Sequence, residues 1–173
     1  PIVNGLWLLG CFLLWGWLVV LACLIEYYLL LKGSGPQAHM AWILLPAIGI
    51  PAAFIYERRR SSKEKNRNIV REWYGYIWLG FGVSLILGLV TTIHSQVSPI
   101  PIVLILAGFA TFLSGIMLRF RPLILGGIAI WASTIACLFV PVREHGLVEA
   151  VALILGYLIP GYLLNHKARS SHV

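Results

Sequence analysis

Apolar residues occupy this chain in six long blocks, and polar residues are confined to the intervals between them. The blocks cover about residues 5–31, 40–56, 73–93, 100–118, 122–140 and 147–164. A helix rises ~1.5 Å per residue and a bilayer core is ~30 Å thick, so most of these blocks are long enough to span. The first exceeds that length, which predicts tilt or protrusion. The second is the shortest and holds Pro46 and Pro51. Each proline removes a backbone hydrogen bond and presses on the preceding turn, so a bend is expected there. Transporter folds with broken helices show matching interruptions in two halves. Here only Pro160 stands opposite, so a packing kink is the preferred reading.

The intervals carry turn chemistry. Lys32-Gly-Ser-Gly-Pro36 breaks the first helix, and Pro99 and Pro101 suit a helix start after His94-Ser-Gln-Val-Ser98. Arg119-Phe-Arg-Pro122 is a tight hairpin, and Pro141 to Gly146 forms another turn.

Charge orients the blocks. The stretch 57–72 carries Arg58, Arg59, Arg60, Lys63, Lys65, Arg67 and Arg71, seven of the thirteen basic residues. Lys and Arg in short loops resist translocation, which keeps this loop cytoplasmic. Alternating crossings then put Arg119, Arg121, Lys167 and Arg169 inside as well, leaving only Lys32 and Arg143 outside. The bias holds at every turn and places both termini in the cytoplasm. Trp73, Tyr74 and Tyr76 fall at the inner interface, and Tyr27 and Tyr28 at the outer one, where amphipathic rings settle.

Composition agrees. Of 173 residues, 60% are hydrophobic and 11% charged, against about 25% charged in soluble domains. Mean hydropathy is +0.89. The expected architecture is all-α, a polytopic membrane protein forming one bundle of six transmembrane helices over residues 1–173. The chain opens at Pro1 with nothing basic before Lys32, so the first block reads as a retained span rather than a signal peptide. The net charge of +7 is explained by topology and by anionic lipid headgroups, and no nucleic-acid module is present. The expected partners are therefore the bilayer and anionic headgroups, with no nucleic acid. Cys11, Cys23 and Cys137 lie inside apolar blocks without metal or redox spacing and read as small buried hydrophobes.

Small residues allow close helix approach in lipid. Ala107, Thr111 and Gly115 form a stripe on the fourth block, widened by Ala110 and Ser114. Gly126, Ala129 and Ser133 share a face of the fifth, and Ala152, Gly156 and Pro160 a face of the sixth. With such short turns, blocks four to six are expected to pack as antiparallel neighbours. A homo-oligomer seam is the alternative use of the same stripes.

Ionisable groups at membrane depth are costly and point to function. Glu26 is the carboxyl most clearly inside an apolar block, and His39, His94, Glu144, His145 and Glu149 fall at a similar outer depth. His145 and Glu149 are four apart and share a helix face. Glu26, His94, His145 and Glu149 are the candidate ion or proton site; the plain alternative is that each is wetted separately at the interface. Metal binding is left open. No HExxH, GxSxG, P-loop or GxGxxG occurs, and Ser84, Ser114 and Ser133 lie in spans without an Asp, so neither enzyme activity nor a cofactor is expected.

The segment Leu118-Arg-Phe-Arg-Pro-Leu-Ile-Leu-Gly-Gly-Ile-Ala-Ile-Trp131, with Gly156-Tyr-Leu-Ile-Pro-Gly-Tyr-Leu-Leu164, resembles small multi-pass proteins of bacterial membranes. Its first part is similar to the six-span HdeD-type membrane proteins. The resemblance covers about one hairpin; it implies six spans and the bacterial cytoplasmic membrane, and no catalytic residues. The proline-rich second block departs from that group. The sequence favours a non-catalytic membrane protein that works by association, as a homo-oligomer or with a membrane or cytoplasmic partner. The second reading is a small ion or solute transporter or channel using Glu26 and the outer His/Glu set.

Overall fold

A computed structural model describes residues 6–33, 38, 42, 47–49, 51–52, 55 and 69–163. The described residues are helical, with no strand. Helix α1 is Leu6–Leu31, α2 is Ile69–His94, α3 is Ile100–Met117 and α4 is Arg121–Ala136. Helix α5 is His145–Leu153 and continues through a π-helical turn, Ile154–Leu158, to residue 163. Four stretches are long and apolar enough to cross a membrane: Leu13–Leu31, Gly75–His94, Ile100–Met117 and Val142–Leu163. The fifth apolar helix, Arg121–Ala136, is shorter. At ~1.5 Å per residue its 16 residues fall short of a ~30 Å core. The outward-facing surface is apolar, with Leu79, Ile86, Leu125, Leu138 and Phe139 all exposed. Such a surface suits lipid and is unsuited to water. The protein is a helical chain of membrane type.

Helix α2 starts at Ile69, so the last residues of the basic stretch are already helical. The rest of that stretch, including Arg58, Arg59, Arg60, Lys63, Lys65 and Arg67, lies outside the described residues, as does the side chain of Arg71. So do His39, Pro46 and the C-terminal tail.

Helices end where the chain can reverse. Arg119 adopts a left-handed φ of 50°, Phe120 N–H donates to Gly115 O at 2.9 Å, and Arg119 N–H donates to Ile116 O at 3.0 Å. These two bonds form a Schellman cap, and buried Phe120 supplies its apolar contact. Gln96, with φ 55°, closes α2 in the same way through Val97 N–H to Thr92 O. Pro101 and Pro122 then sit in the first turns of α3 and α4, where a missing N–H costs nothing.

The packing is antiparallel and backbone-close. A Cβ built on Gly115 would lie 2.7 Å from Ile124 N, one on Gly127 2.8 Å from Phe112 N, and one on Gly108 2.5 Å from the Trp131 ring. These contacts run in opposite directions along α3 and α4. Trp131 Nε1–H also donates to Ile105 O at 3.0 Å across the same contact. Ala107, Thr111, Gly115 and Ser114 are buried on that side of α3. Thr111 and Ser114 donate their hydroxyls back to Ala107 O and Ala110 O, which lets polar side chains sit in an apolar contact. Between α4 and α5, a Cβ on Gly126 would come 2.6 Å from Gly156 O. Pro160 has no N–H to bond that carbonyl. The helix widens into the π turn beneath it, where Ile159 N–H reaches back to Ile154 O.

Helix α1 packs against α5. Leu13 meets Gly161, Gly16 meets Tyr157 and Leu158, and Glu26 lies beside Gly146. Numbers rise on α1 as they fall on α5, so this pair is antiparallel too. Helix α2 meets α3 near their shared turn, Gly88 against Ile102, and Trp78 and Phe81 pack against the core further along it. Following the pairings through, α1 and α2 run in the same direction. Among the described residues of the second block, Trp42 bonds Glu26 and Gly49 lies against Leu18 and Trp15. They descend along α1, opposite to its direction.

A buried carboxyl pair between the first and last helices

At the end of the bundle where α1 and α4 finish and α5 begins, polar side chains meet under apolar cover. Glu149 sits one turn into α5, with 1% of its surface exposed. Its position follows from the helix period: His145 and Glu149, four apart, face inward together, while Val151 and Ile154 face out. The inward face meets α1 at Cys23, whose thiol hydrogen-bonds the Glu149 carboxyl. One carboxyl oxygen of Glu149, Oε2, is buried with no hydrogen-bond partner among the described residues.

Glu26 is the next inward residue on α1 after Cys23, and it is 8% exposed. Trp42 Nε1–H donates to Glu26 Oε2 at 2.8 Å. That oxygen lies 3.8 Å from where a Cβ on Gly146 would stand, which sets Glu26 directly against the start of α5. The two carboxyls are near enough to act on each other electrostatically. A charge on Glu149, buried without water, would be expensive to hold beside a second carboxyl.

His145 is buried but turned to a structural task. Its Nε2 lies 3.0 Å from Cys137 O, and its Nδ1 lies 3.1 Å from Ser98 Oγ. A carbonyl oxygen only accepts, so Nε2 carries a proton; in the neutral ring Nδ1 then accepts from the Ser98 hydroxyl. Cys137 is the C-terminal cap residue of α4, and its carbonyl is one of those a helix end leaves unpaired. His145 thus ties together the α2–α3 turn, the end of α4 and the start of α5. With both nitrogens committed, it offers no lone pair to a metal.

Of the four residues the sequence singled out, the structure brings Glu26 and Glu149 together, sets His145 beside them in a tie, and leaves His94 exposed at the end of α2. Among the described residues, no three His, Cys, Asp or Glu side chains converge closely enough to hold a metal ion. Cys23 and Trp42 were not singled out. Nothing in spacing links Cys23 to Glu149, which are brought together only by the antiparallel docking of α1 on α5. A second polar pair lies one layer deeper, where the Tyr157 and Thr111 hydroxyls share a hydrogen bond between α5 and α3.

No protein-family model, curated protein or solved structure matches the chain.

Proposed function

We propose that this chain is a six-span protein of the bacterial cytoplasmic membrane that takes up a proton or small cation at the Glu26–Glu149 pair. Both termini are inside, and the pair lies toward the outer ends of the helices. Six crossings are supported by the parallel course of α1 and α2, since a return between them needs one more pass. Trp42 and Gly49 lie on such a path. The orientation is supported by the thirteen basic residues and their distribution about the spans.

The observation that carries the functional reading is Glu149, a carboxyl in the centre of a helix contact with one oxygen unpartnered. A residue kept only for packing would be apolar there, because a buried polar atom without a partner is a net cost. This places ion handling ahead of association, the reverse of the order the sequence favours. The test is flux into liposomes of phosphatidylethanolamine and phosphatidylglycerol loaded with a pH-sensitive dye. Proton entry driven by a potassium diffusion potential, or entry of an added cation, is expected with the intact chain and lost in Glu149→Gln. Equal leak from both, matching protein-free vesicles, would remove the reading.

Association retains one observation of its own. Much of helix α2 is exposed, and Gly75, Gly80 and Gly82 have nothing within 4 Å of an added Cβ. Native mass spectrometry from a mild detergent separates the two readings: a defined oligomer, or a complex with a second protein, supports association through helix faces or the basic stretch.

A further inference from the structure

We infer that the occupant of the Glu26–Glu149 site is a proton, held on Glu149 and exchanged in concert with Glu26. This rests on the ion-handling reading above and narrows it.

The argument begins with what faces Glu149. From α1 come the Cys23 thiol and the Glu26 carboxyl; from α5 itself come His145 and, further down, Tyr157; from the end of α4 comes Cys137. Helix α3 contributes Thr111, which is neutral, through Tyr157. Trp42 contributes an indole N–H, already given to Glu26. None of these is a standing cation directed at Glu149. His145 is the one group that could become positive, and its Nε2 proton is directed at a carbonyl oxygen.

The donors present satisfy one oxygen of Glu149 and leave Oε2 bare. A carboxylate has two acceptor oxygens and no proton of its own; a carboxylic acid has one acceptor oxygen and one O–H. Oε2 has no partner of either kind among the described residues, and a neutral O–H left bare there costs far less than a bare carboxylate charge, so the acid is the form this site favours. A carboxylate with a bare oxygen in a 1%-exposed position would hold an unpaired charge out of water.

A metal ion in place of the proton needs more oxygen than the site offers. Hard cations take six or more oxygen ligands, or several waters with one or two carboxylates. Glu149 has no water-facing side, the only added ligand type near the pair is a soft thiol, and among the described residues no three His, Cys, Asp or Glu side chains converge to hold an ion. A proton needs one oxygen and leaves no coordination sphere to fill.

Glu26 supplies the other half of an exchange. It is the more exposed of the two, and its Oε2 is steadied by Trp42. Two carboxyls that feel each other's charge do not ionise independently. Loss of the proton from Glu149 is therefore favoured when Glu26 gains one, and the proton passes between an inner and an outer seat with total charge unchanged.

Infrared spectroscopy of the full chain in lipid nanodiscs tests this directly through the C=O stretch of protonated carboxyl groups. At neutral pH the intact chain is expected to show that band, shifted on transfer to deuterium oxide. Glu149→Gln abolishes it, and Glu26→Gln displaces its pH midpoint while leaving it present. Cys23→Ala, which removes the thiol donor, shifts its frequency without loss. The inference is overturned by absence of the band in the intact chain. A band that survives Glu149→Gln overturns it as well, as does one that sodium or magnesium chloride abolishes at constant pH. Should Glu149→Gln fail to fold, the pH titration and deuterium shift of the intact chain decide the matter. A band that behaves as expected in a protein that moves no protons across liposomes leaves the proton site standing and removes the transport reading. Cation flux without the band does the reverse.

Discussion

At the scale of single residues, the strongest constraints come from glycines that have no space for a methyl group. On Gly126 and Gly127 the obstructing atoms are backbone, Gly156 O in one case and Phe112 N and Gly108 O in the other. Backbone cannot swing aside as the end of a side chain can. Alanine at either position is expected to destabilise by about 1–3 kcal/mol through overpacking. Alanine at Gly82, where the space is open, should cost nothing and gain up to about 1 kcal/mol of helix propensity. Thermal unfolding of the three variants in one detergent, followed by circular dichroism, ranks them. Comparable losses at Gly82 and Gly126 would show that these approaches are not what holds the helices together. Arg119 offers a change of opposite sign. Its left-handed backbone costs a side-chain-bearing residue about 1–2 kcal/mol that glycine escapes. Arg119→Gly should raise the unfolding temperature, and a fall would mean that the arginine itself, at the membrane face, outweighs the relief.

At the scale of elements, Pro160 and the π turn set the aim of the last helix. A π turn adds one residue to the helix, rotating everything beyond it by ~100° relative to everything before. Because of that offset, α5 presents Gly146 and Glu149 to α1 before the turn, and Gly161 to Leu13 after it. Restoring an N–H at position 160 gives Gly156 O a partner within the helix and removes the reason for the widening. In Pro160→Ala the far end of α5 is expected to rotate, parting Gly161 from Leu13 and Tyr162 from Trp17 Nε1, now 3.2 Å apart. With native cysteines replaced by alanine, a disulfide between Leu13→Cys and Gly161→Cys should form readily beside proline and poorly beside alanine. Equal crosslinking would mean that packing alone maintains the turn. Blocks, turns and the α3–α4–α5 order could be read from hydropathy and proline placement, because those are local properties. The π turn could not, since Pro160 alone predicts a kink and only the close Gly126 contact decides how it is relieved. The site was half legible. Glu26 and Glu149 stand out as acids in apolar blocks, whereas Cys23 looks like any small core residue until α1 is laid against α5. The bonds of His145 were not legible for the same reason. Its partners are Ser98, from the turn that follows α2, and a backbone carbonyl, and a carbonyl carries no sequence signature.

For the whole molecule the question is how many times the chain crosses, and the six-crossing path proposed above rests on two independent lines. The first is charge: the thirteen basic residues divide unevenly about the apolar blocks, and only a six-crossing path puts the crowded loops on one side throughout. The second is direction. Helices α1 and α5 are antiparallel, as are α4 and α5, α3 and α4, and α2 and α3, so α1 and α2 point the same way. Two parallel spans joined in sequence require an intervening pass, and Trp42 and Gly49 follow the side of α1 in the return direction. Five crossings would break both lines at once, placing Gly33 and Arg119 on the same side. Single cysteines at Gly33, Ser95, Glu144 and Arg119, in a chain whose native cysteines are alanine, separate the cases in intact cells. A membrane-impermeant maleimide should label the first three from outside and reach position 119 only after permeabilisation. Labelling of Gly33 and Arg119 together would overturn the six-span path.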